Sequence, residues 1–318
     1  MLKKENDMDK QKVIVVVGPT GVGKTQLSIE IAKRFGGEVI SGDSMQIYRS
    51  MDIGTAKVTK EEQQGIPHHL IDIRNPDENY SAADFQADVE ACVQDIASRG
   101  KLPIIAGGTG LYIQAALYAY DFSEAKRDDS YQQELEQEAQ THGPLHLHKQ
   151  LQAVDPVQAE RIHPNNVRRV IRALEIFHRT GKRMSDHEET EPDARYDTTM
   201  IGLEMDRDLL YEQINLRVDK MLAEGLLEEV KRLVGNGIQD TQSMRAIGYK
   251  EFIPYLEGKM DWEDTVDQLK QNSRRYAKRQ YTWFRNKMHV DWYTITPATK
   301  NEKFRIILEE LAGKLEQR

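Results

Sequence analysis

The chain has 318 residues, enough at roughly 100 to 200 residues per domain for two domains with sizeable cores. Its 44 Lys and Arg against 52 Asp and Glu leave a formal net charge of −8, which excludes a uniformly basic nucleic-acid coat and confines any nucleic-acid binding to local patches. One cysteine, Cys92, rules out an intrachain disulfide or a Cys-rich zinc site and fits a reducing compartment.

Mean hydropathy is −0.67, and apolar runs such as residues 13–17 are far below the roughly 20 residues of a membrane span. Residues 1–12 mix Lys3, Lys4, Lys10 and Lys12 with Glu5, Asp7 and Asp9. They read as a flexible tail without signal-peptide or transit-peptide character, and the expectation is a soluble cytoplasmic protein.

Residues 13–17, four valines and an isoleucine before a Gly-Pro turn, predict a buried strand of a parallel sheet. A helix is expected over 25–35, ended by Gly36-Gly37, then a strand over 38–41 running into Gly42-Asp43-Ser44-Met45-Gln46. Ser81 and Asp84 form a capping-box start, and Phe85, Val89, Cys92, Val93 and Ile96 share one face of a helix that stops at Gly100. Cys92 is thus expected to pack in the core and not to act as a nucleophile.

A third strand over 102–106 ends in Gly107-Gly108-Thr109-Gly110. This alternation predicts an α/β fold, a doubly wound, P-loop NTPase-like parallel sheet with flanking helices, whose ligands sit beyond the carboxyl ends of the strands. Residues 121–197 are charged and helical in period, and read as an inserted helical domain, so that 13–120 and 198–318 make up the core. A returning strand is expected over 199–205, then one long helical region over 206–234 with Leu210, Ile214, Val218, Met221 and Leu222 facing inward. Phe304, Ile307, Leu308, Leu311 and Leu315 mark a final amphipathic helix.

Gly18-Pro19-Thr20-Gly21-Val22-Gly23-Lys24-Thr25 matches G-x-x-x-x-G-K-[ST] between a strand and a helix, the context that a phosphate-binding loop requires. Glycines let backbone N–H groups curl around phosphate oxygens, Lys24 adds charge, and Thr25 offers a hydroxyl to Mg²⁺. The loop implies a pyrophosphate-bearing ligand without specifying ATP, although most such loops belong to kinases and NTPases. Asp43, just past a strand end and on the same rim as the phosphate loop if the two strands are parallel and neighbouring, reads as a general base or metal ligand, or as a loop Asp capping Ser44 or Met45. Thr109 carries the same ambiguity between helix cap and ligand contact.

Two segments are locally basic. Residues 161–183 hold seven Arg or Lys and one acid, and residues 268–290 hold seven and none, interleaved with Tyr276, Tyr281, Trp283 and Phe284, which leaves −21 for the rest of the chain. Such segregation suits a phosphate-tracking protein of acidic pI. On a helix over 165–180, Arg168, Arg169, Arg172 and Arg179 fall on one face, opposite Val167, Val170, Ile171, Leu174 and Phe177. At least half of the four aromatics are expected to pack in the core. A metal role for His142, His146 and His148 is rejected for want of a carboxylate at a matching helical offset, and His68-His69 is read as structural.

Five motifs in order, the loop at 18–25, Asp43-Ser44-Met45-Gln46-Ile47-Tyr48-Arg49, Met51-Asp52-Ile53-Gly54-Thr55-Ala56-Lys57, Gly107-Gly108-Thr109-Gly110-Leu111-Tyr112 and Ala246-Ile247-Gly248-Tyr249, resemble the tRNA dimethylallyltransferase family. The resemblance runs from Val13 to about Asn286 and includes the segment from His163 to Glu175. Gly21-Val22 stands where the family often has Ala-Ser, at variable positions of the loop. The single cysteine leaves no room for the zinc finger of many eukaryotic members, so the chain is similar to the bacterial form.

The resemblance implies transfer of the dimethylallyl group from dimethylallyl diphosphate to the exocyclic amine of the adenosine 3′ to the anticodon, with diphosphate leaving. The phosphate loop would then stabilise a leaving group, with Mg²⁺ as cofactor. Asp43 would orient or deprotonate the amine, and Thr20 and Arg245 would contact the diphosphate. The implied tRNA-facing set is Asp43, Ser44, Met45, Gln46 and Thr109 near the extruded base, Asn166, Val167, Arg168, Arg169 and Val170 on the insertion, and Arg274, Arg275, Lys278 and Arg279 in the second basic segment. The partners are the anticodon stem-loop of tRNA and dimethylallyl diphosphate, and a monomer is expected. Three other readings stay open from the residues alone: an ATP-dependent kinase or NTPase with Asp43 or Asp72 on Mg²⁺, prenyl transfer to a free adenine nucleotide, and RNA binding without chemistry.

Overall fold

The computed structural model describes residues 10–119, 129–188 and 193–316; residues 1–9 of the expected tail over 1–12, and residues 121–128 and 189–192 of the expected insertion, lie outside them. The chain forms two compact units, Met1–Leu117 with Ala194–Arg318, and Tyr118–Asp193.

The first unit opens with β1 (Lys12–Val17), α1 (Lys24–Phe35), β2 (Gly37–Gly42), α2 (Lys60–Gln63), β3 (His68–His69), α3 (Ala82–Ser98), β4 (Leu102–Gly107) and α4 (Gly110–Leu117). The helices start where the local chemistry says they should. Ser81 Oγ accepts from the Asp84 amide while the Asp84 carboxylate accepts from the Ser81 amide, a complete capping box. Phe85, Val89, Val93 and Ile96 are buried along α3, and Cys92 is half-buried, its thiol pushed up to about 11 by burial, which keeps it protonated.

The second unit holds α5 (Asp129–His142), α6 (Pro144–Val154), α7 (Pro156–Arg161) and α8 (Val167–Thr180). Pro144 and Pro156 open their helices, where a missing N–H costs nothing. Leu135, Leu147, Leu151, Ile162, Val170, Ile171 and Leu174 close a separate core, and buried Asp155 accepts from the Gln158 and Ser185 amides, each at 3.0 Å.

The chain returns to the first unit through β5 (Asp197–Glu204), α9 (Arg207–Ala223), α10 (Leu226–Gly235), α11 (Phe252–Leu256), α12 (Trp262–Lys287), β6 (Asp291–Thr294) and α13 (Lys300–Glu316). The single helical region expected over 206–234 is two helices, because Gly225 adopts φ +99° and serves as N-cap of the second. Leu210, Ile214 and Val218 are buried as expected, whereas Met221 and Leu222, beside the break, are only half-buried.

All six strands are parallel, in the order β3-β2-β4-β1-β5-β6. From β1 the chain crosses to β2 on one side, and from β4 it returns to β5 on the other. The gap between the carboxyl ends of β1 and β4 is therefore the topological switch point, where open α/β sheets bind ligands. Register brings the ends level, with Val17 opposite Gly107 and Gly107 opposite Gly42. The β2 and β4 ends approach so closely that a Cβ on Gly107 would lie 2.2 Å from the Gly42 carbonyl. Below the rim, Ile14, Val16, Leu27, Ile31, Ile104 and Leu203 pack with Phe304, Ile307 and Leu311 of α13, each such side chain worth roughly 1.5–3 kcal/mol of burial.

Candidate active site

A cavity of about 320 Å³ opens at that switch point. Thr20, Gly21, Gly23, Lys24 and Thr25 form one wall, while Gly18, Pro19 and Val22 of the same loop are not among the lining residues. Gly18 has φ +142°, and a Cβ there would meet the Leu203 carbonyl at 2.4 Å, so this turn needs glycine. Lys24 Nζ donates to the Pro19 carbonyl at 2.8 Å. Burial, and then the Arg217 charge, pull Lys24 down to about 7, against the opposing effect of Asp43. An ammonium so placed gains from any anion that enters.

A second wall is built from Asp43 and Gln46 of the β2 loop, with Thr55, Ala56 and Val58. Asp43 Oδ1 accepts from the Met45 amide at 2.8 Å. Burial pushes the Asp43 pKa up, while the Met45 and Gln46 amides and the charges of Lys24 and Arg217 hold it back. A carboxylate with raised basicity, lining the same cavity as the cations, can accept a proton or a hydrogen bond from a weakly acidic N–H. Gln46 Nε2 donates to the Thr55 and Ala56 carbonyls at 3.4 and 3.3 Å, and its Oε1 accepts from Ser41 at 3.1 Å. Its amide therefore already serves the protein. Ser44 and Thr109 fasten the β2 and β4 loops together, the Ser44 amide donating to Thr109 Oγ1 at 3.1 Å. Ser44, Met45 and Thr109 adjoin the cavity and are not among its lining residues.

Three lining residues carry no signal in a local motif. Arg217 of α9 points Nη1 at Thr20 Oγ1 at 3.4 Å; burial lowers its pKa and Asp43 raises it, and guanidinium remains a cation throughout. Gln280 of α12, buried, accepts from the Thr20 amide at 2.9 Å and donates to the Gly108 carbonyl at 3.0 Å, bridging the loops after β1 and β4. Tyr276, one turn earlier, is pushed up to about 12 by burial and then by Asp43, and its phenol bonds with Thr109 and Gln280. Arg245, expected on the diphosphate, is exposed and outside the lining residues, where Arg217 stands instead. Asp72 pairs with Lys57 at 2.6 Å and lies outside the lining too.

Of the second basic segment, Arg275, Lys278 and Arg279 project from α12, while Arg274 donates to Asn215 Oδ1 at 2.7 Å. Its aromatics divide among several tasks: Phe284 is fully buried, Tyr281 bonds Glu204, Trp283 covers Gly110, and Tyr276 lines the cavity. On α8 of the other unit, Arg168 and Arg169 are exposed, Val167 is half-buried, and Val170 is in the core, with Asn166 exposed at the helix start. Arg172 pairs with buried Glu175 at 2.7 Å and so belongs partly to the fold. His148 Nε2 lies 2.9 Å from the Ala159 and Ile162 carbonyls, and His146 lies 3.5 Å from Glu138 on the neighbouring helix. Among the described residues no three His, Cys, Asp or Glu are grouped to hold a metal, and no helix is long and apolar enough to cross a membrane.

Residues 46–287 match the family model described as IPP transferase. A Bacillus cereus protein named tRNA dimethylallyltransferase is 56% identical over 313 residues, covering 98% of each chain. The chain belongs to this family. An Oceanobacillus iheyensis relative of the same name is 55% identical, covering 97% of this chain and 99% of its own. The crystal structure of a full-length tRNA isopentenylpyrophosphate transferase from Bacillus halodurans superposes with a TM-score of 0.75 at 51% identity, over 97% of this chain and 98% of that one. A eukaryotic dimethylallyltransferase acting on tRNA gives a TM-score of 0.78 at 35% identity, over 91% and 75%.

Proposed function

We propose that the chain transfers the dimethylallyl group of dimethylallyl diphosphate to the N6 amine of the adenosine 3′ to the anticodon in tRNA. The observation that carries this reading is the division of one cavity into a cationic wall, Lys24 and Arg217 with the phosphate-loop amides, and a wall bearing the carboxylate of Asp43. In the transfer, the N6 lone pair forms a bond to the allylic C1, the C1–O bond to diphosphate breaks, and an N6 proton leaves. Charge accumulates on the departing diphosphate, where Lys24, Arg217 and Thr20 stand ready to receive it. Asp43 accepts the hydrogen bond, and finally the proton, of the attacking amine, a contribution of about 10²- to 10⁴-fold in rate.

Mg²⁺ would be held chiefly by diphosphate oxygens and water, with the Thr25 hydroxyl as the protein donor. That arrangement suits a wall without a carboxylate cluster, and the ion would add charge neutralisation at the leaving group. The target base must be extruded from its loop to enter. The exposed cations of α12 and the insertion over 121–197 are its expected grip on the anticodon stem, in a monomeric cytoplasmic enzyme.

The test is incubation with Mg²⁺, labelled dimethylallyl diphosphate and unmodified tRNA, beside ATP plus tRNA and dimethylallyl diphosphate plus AMP. Label on tRNA alone is the expected result. Label on AMP would move the acceptor to a free nucleotide, and ATP hydrolysis without label transfer would overturn the proposal.

A further inference from the structure

The 51–57 loop, which supplies Thr55 and Ala56 to the cavity wall, is organised around an acid that lies outside the cavity. Glu229 of α10 is 4% exposed. Its Oε2 accepts from the Asp52 and Ile53 amides, each at 3.0 Å, and its Oε1 accepts from the Gly54 amide at 3.2 Å and the Tyr249 hydroxyl at 2.6 Å. Four donors thus converge on one carboxylate, the arrangement by which successive backbone N–H groups bind an anion. The fit is tight. A Cβ on Gly54 would lie 2.5 Å from the Tyr249 ring, and Gly248, at φ +98°, abuts the Gly54 backbone.

The loop is closed on its other side by Lys57, whose Nζ reaches Asp52, Asp72 and the Tyr48 carbonyl at 2.6, 2.6 and 2.7 Å. Between these two anchors the Thr55 and Ala56 carbonyls are turned toward Gln46 Nε2. Gln46 in turn directly follows Met45, whose amide donates to Asp43 Oδ1 at 2.8 Å. Hydrogen bonds joined by short stretches of backbone thus link α10 to the proposed proton acceptor.

We propose that Glu229 is a positioning residue for Asp43, acting through the 51–57 loop and the Met45–Gln46 segment; the claim rests on the prenyl-transfer reading above. Tyr249 is its auxiliary, holding Oε1 and filling the space that Gly54 leaves. Glu229→Gln puts an NH₂ against at least one backbone N–H and breaks the nest while keeping its volume. Tyr249→Phe spares all three amide bonds.

The experiment compares wild type, Glu229→Gln, Glu229→Ala and Tyr249→Phe, with exposed Lys231→Ala on the same helix as control. For each, kcat and KM for tRNA prenylation, affinity for dimethylallyl diphosphate, the acid limb of the kcat/KM profile, and amide hydrogen exchange without substrates are measured. Glu229→Ala should lower kcat about 100-fold, the scale of a misplacement by an ångström, Glu229→Gln about tenfold and Tyr249→Phe about threefold, with donor affinity within twofold throughout. The acid limb should move to higher pH in Glu229→Gln, because Asp43 loses an amide that lowers its pKa. Exchange should quicken at residues 52–57 and at Gln46.

A Glu229 variant with a wild-type kcat and acid limb would overturn the proposal, as would parallel loss of kcat and donor affinity. The exchange data stand apart from the reaction. If wild type proves inactive on tRNA, the functional reading fails, while quickened exchange at Gln46 still supports the path and unchanged exchange there still refutes it.

Discussion

The two walls of the cavity are made by opposite means. The cationic wall is largely a local product: one loop, 18–25, places Lys24 and the amides, while Arg217, and the Gln280 that holds the Thr20 amide, come from elsewhere. The carboxylate wall is assembled from distant pieces, with Asp43 held by the Met45 amide, Gln46 held by the Thr55 and Ala56 carbonyls, and that loop held by Glu229. A wall of N–H groups and cations binds many anions. A wall with one oriented carboxylate chooses what reacts. The comparison teaches that binding of the leaving group and activation of the acceptor are separable, and substitutions should separate them.

The largest effect is expected from Asp43→Asn, which keeps the shape of the wall and removes its base. Prenyl transfer should fall about 10²- to 10⁴-fold with diphosphate affinity nearly unchanged, as read by single-turnover transfer beside equilibrium binding. In wild type, activity should be lost as pH falls through the Asp43 pKa, which burial raises above the ordinary value, and Asp43→Asn should abolish that limb. Equal losses of rate and diphosphate affinity would mean that the walls are not separate.

The complementary substitution, Arg217→Ala, should weaken diphosphate binding about 10- to 100-fold, the worth of a hydrogen bond to a charged group, and leave the acid limb of the pH profile where it is. Arg245→Ala, exposed and away from the lining, should change diphosphate affinity by less than about twofold, the scale of an ordinary surface substitution. A reversal of these two results would return the leaving-group contact to Arg245.

Lys24 sharpens the comparison through pH. In the free protein its ammonium is pulled down to about 7, chiefly by burial, whereas a bound diphosphate favours the charged form. Binding should therefore be strongest below that pH and weaken by up to about tenfold per unit as pH rises above it. Titrating Lys24→Arg in parallel cancels the ligand's own ionisation, and the variant should lose most of the dependence.

What the sequence makes legible follows the same division. The cationic wall sits in eight consecutive residues between a valine-rich strand and a helix, so local pattern reveals both its place and its chemistry. Asp43 is visible as a polar residue at a strand end, although only the registers of β2 with β4 and of β4 with β1 bring that end level with the start of the phosphate loop. Arg217, Tyr276 and Gln280 stand singly on helices whose period shows only which face is inward. Glu229 follows Glu228 in the first turn of α10, where a sequence suggests an exposed acid stabilised by the helix dipole; three amides from a loop about 175 residues earlier make it a buried anchor. The break between α9 and α10 escapes the periodic pattern because glycine at 225 fits a helix interior as a weak residue until its left-handed φ is seen.

The smallest effect is expected where neither wall is touched. Arg168 and Arg169 are exposed on α8, in the unit whose core is its own. Changing both to Ala removes charge without opening that core, so the thermal midpoint and diphosphate affinity should hold. If these side chains meet tRNA phosphates, each removal should reduce the slope of log affinity against log salt by about one, and tRNA affinity should weaken severalfold, independent of base sequence. The same change on α12, Arg275→Ala with Lys278→Ala, should lower tRNA affinity similarly. It also tests whether a helix that lines the cavity with Tyr276 and Gln280 transmits the loss to the walls. A fall in kcat in the α12 pair and not in the α8 pair would show that one of the two basic helices binds RNA and shapes the cavity at once.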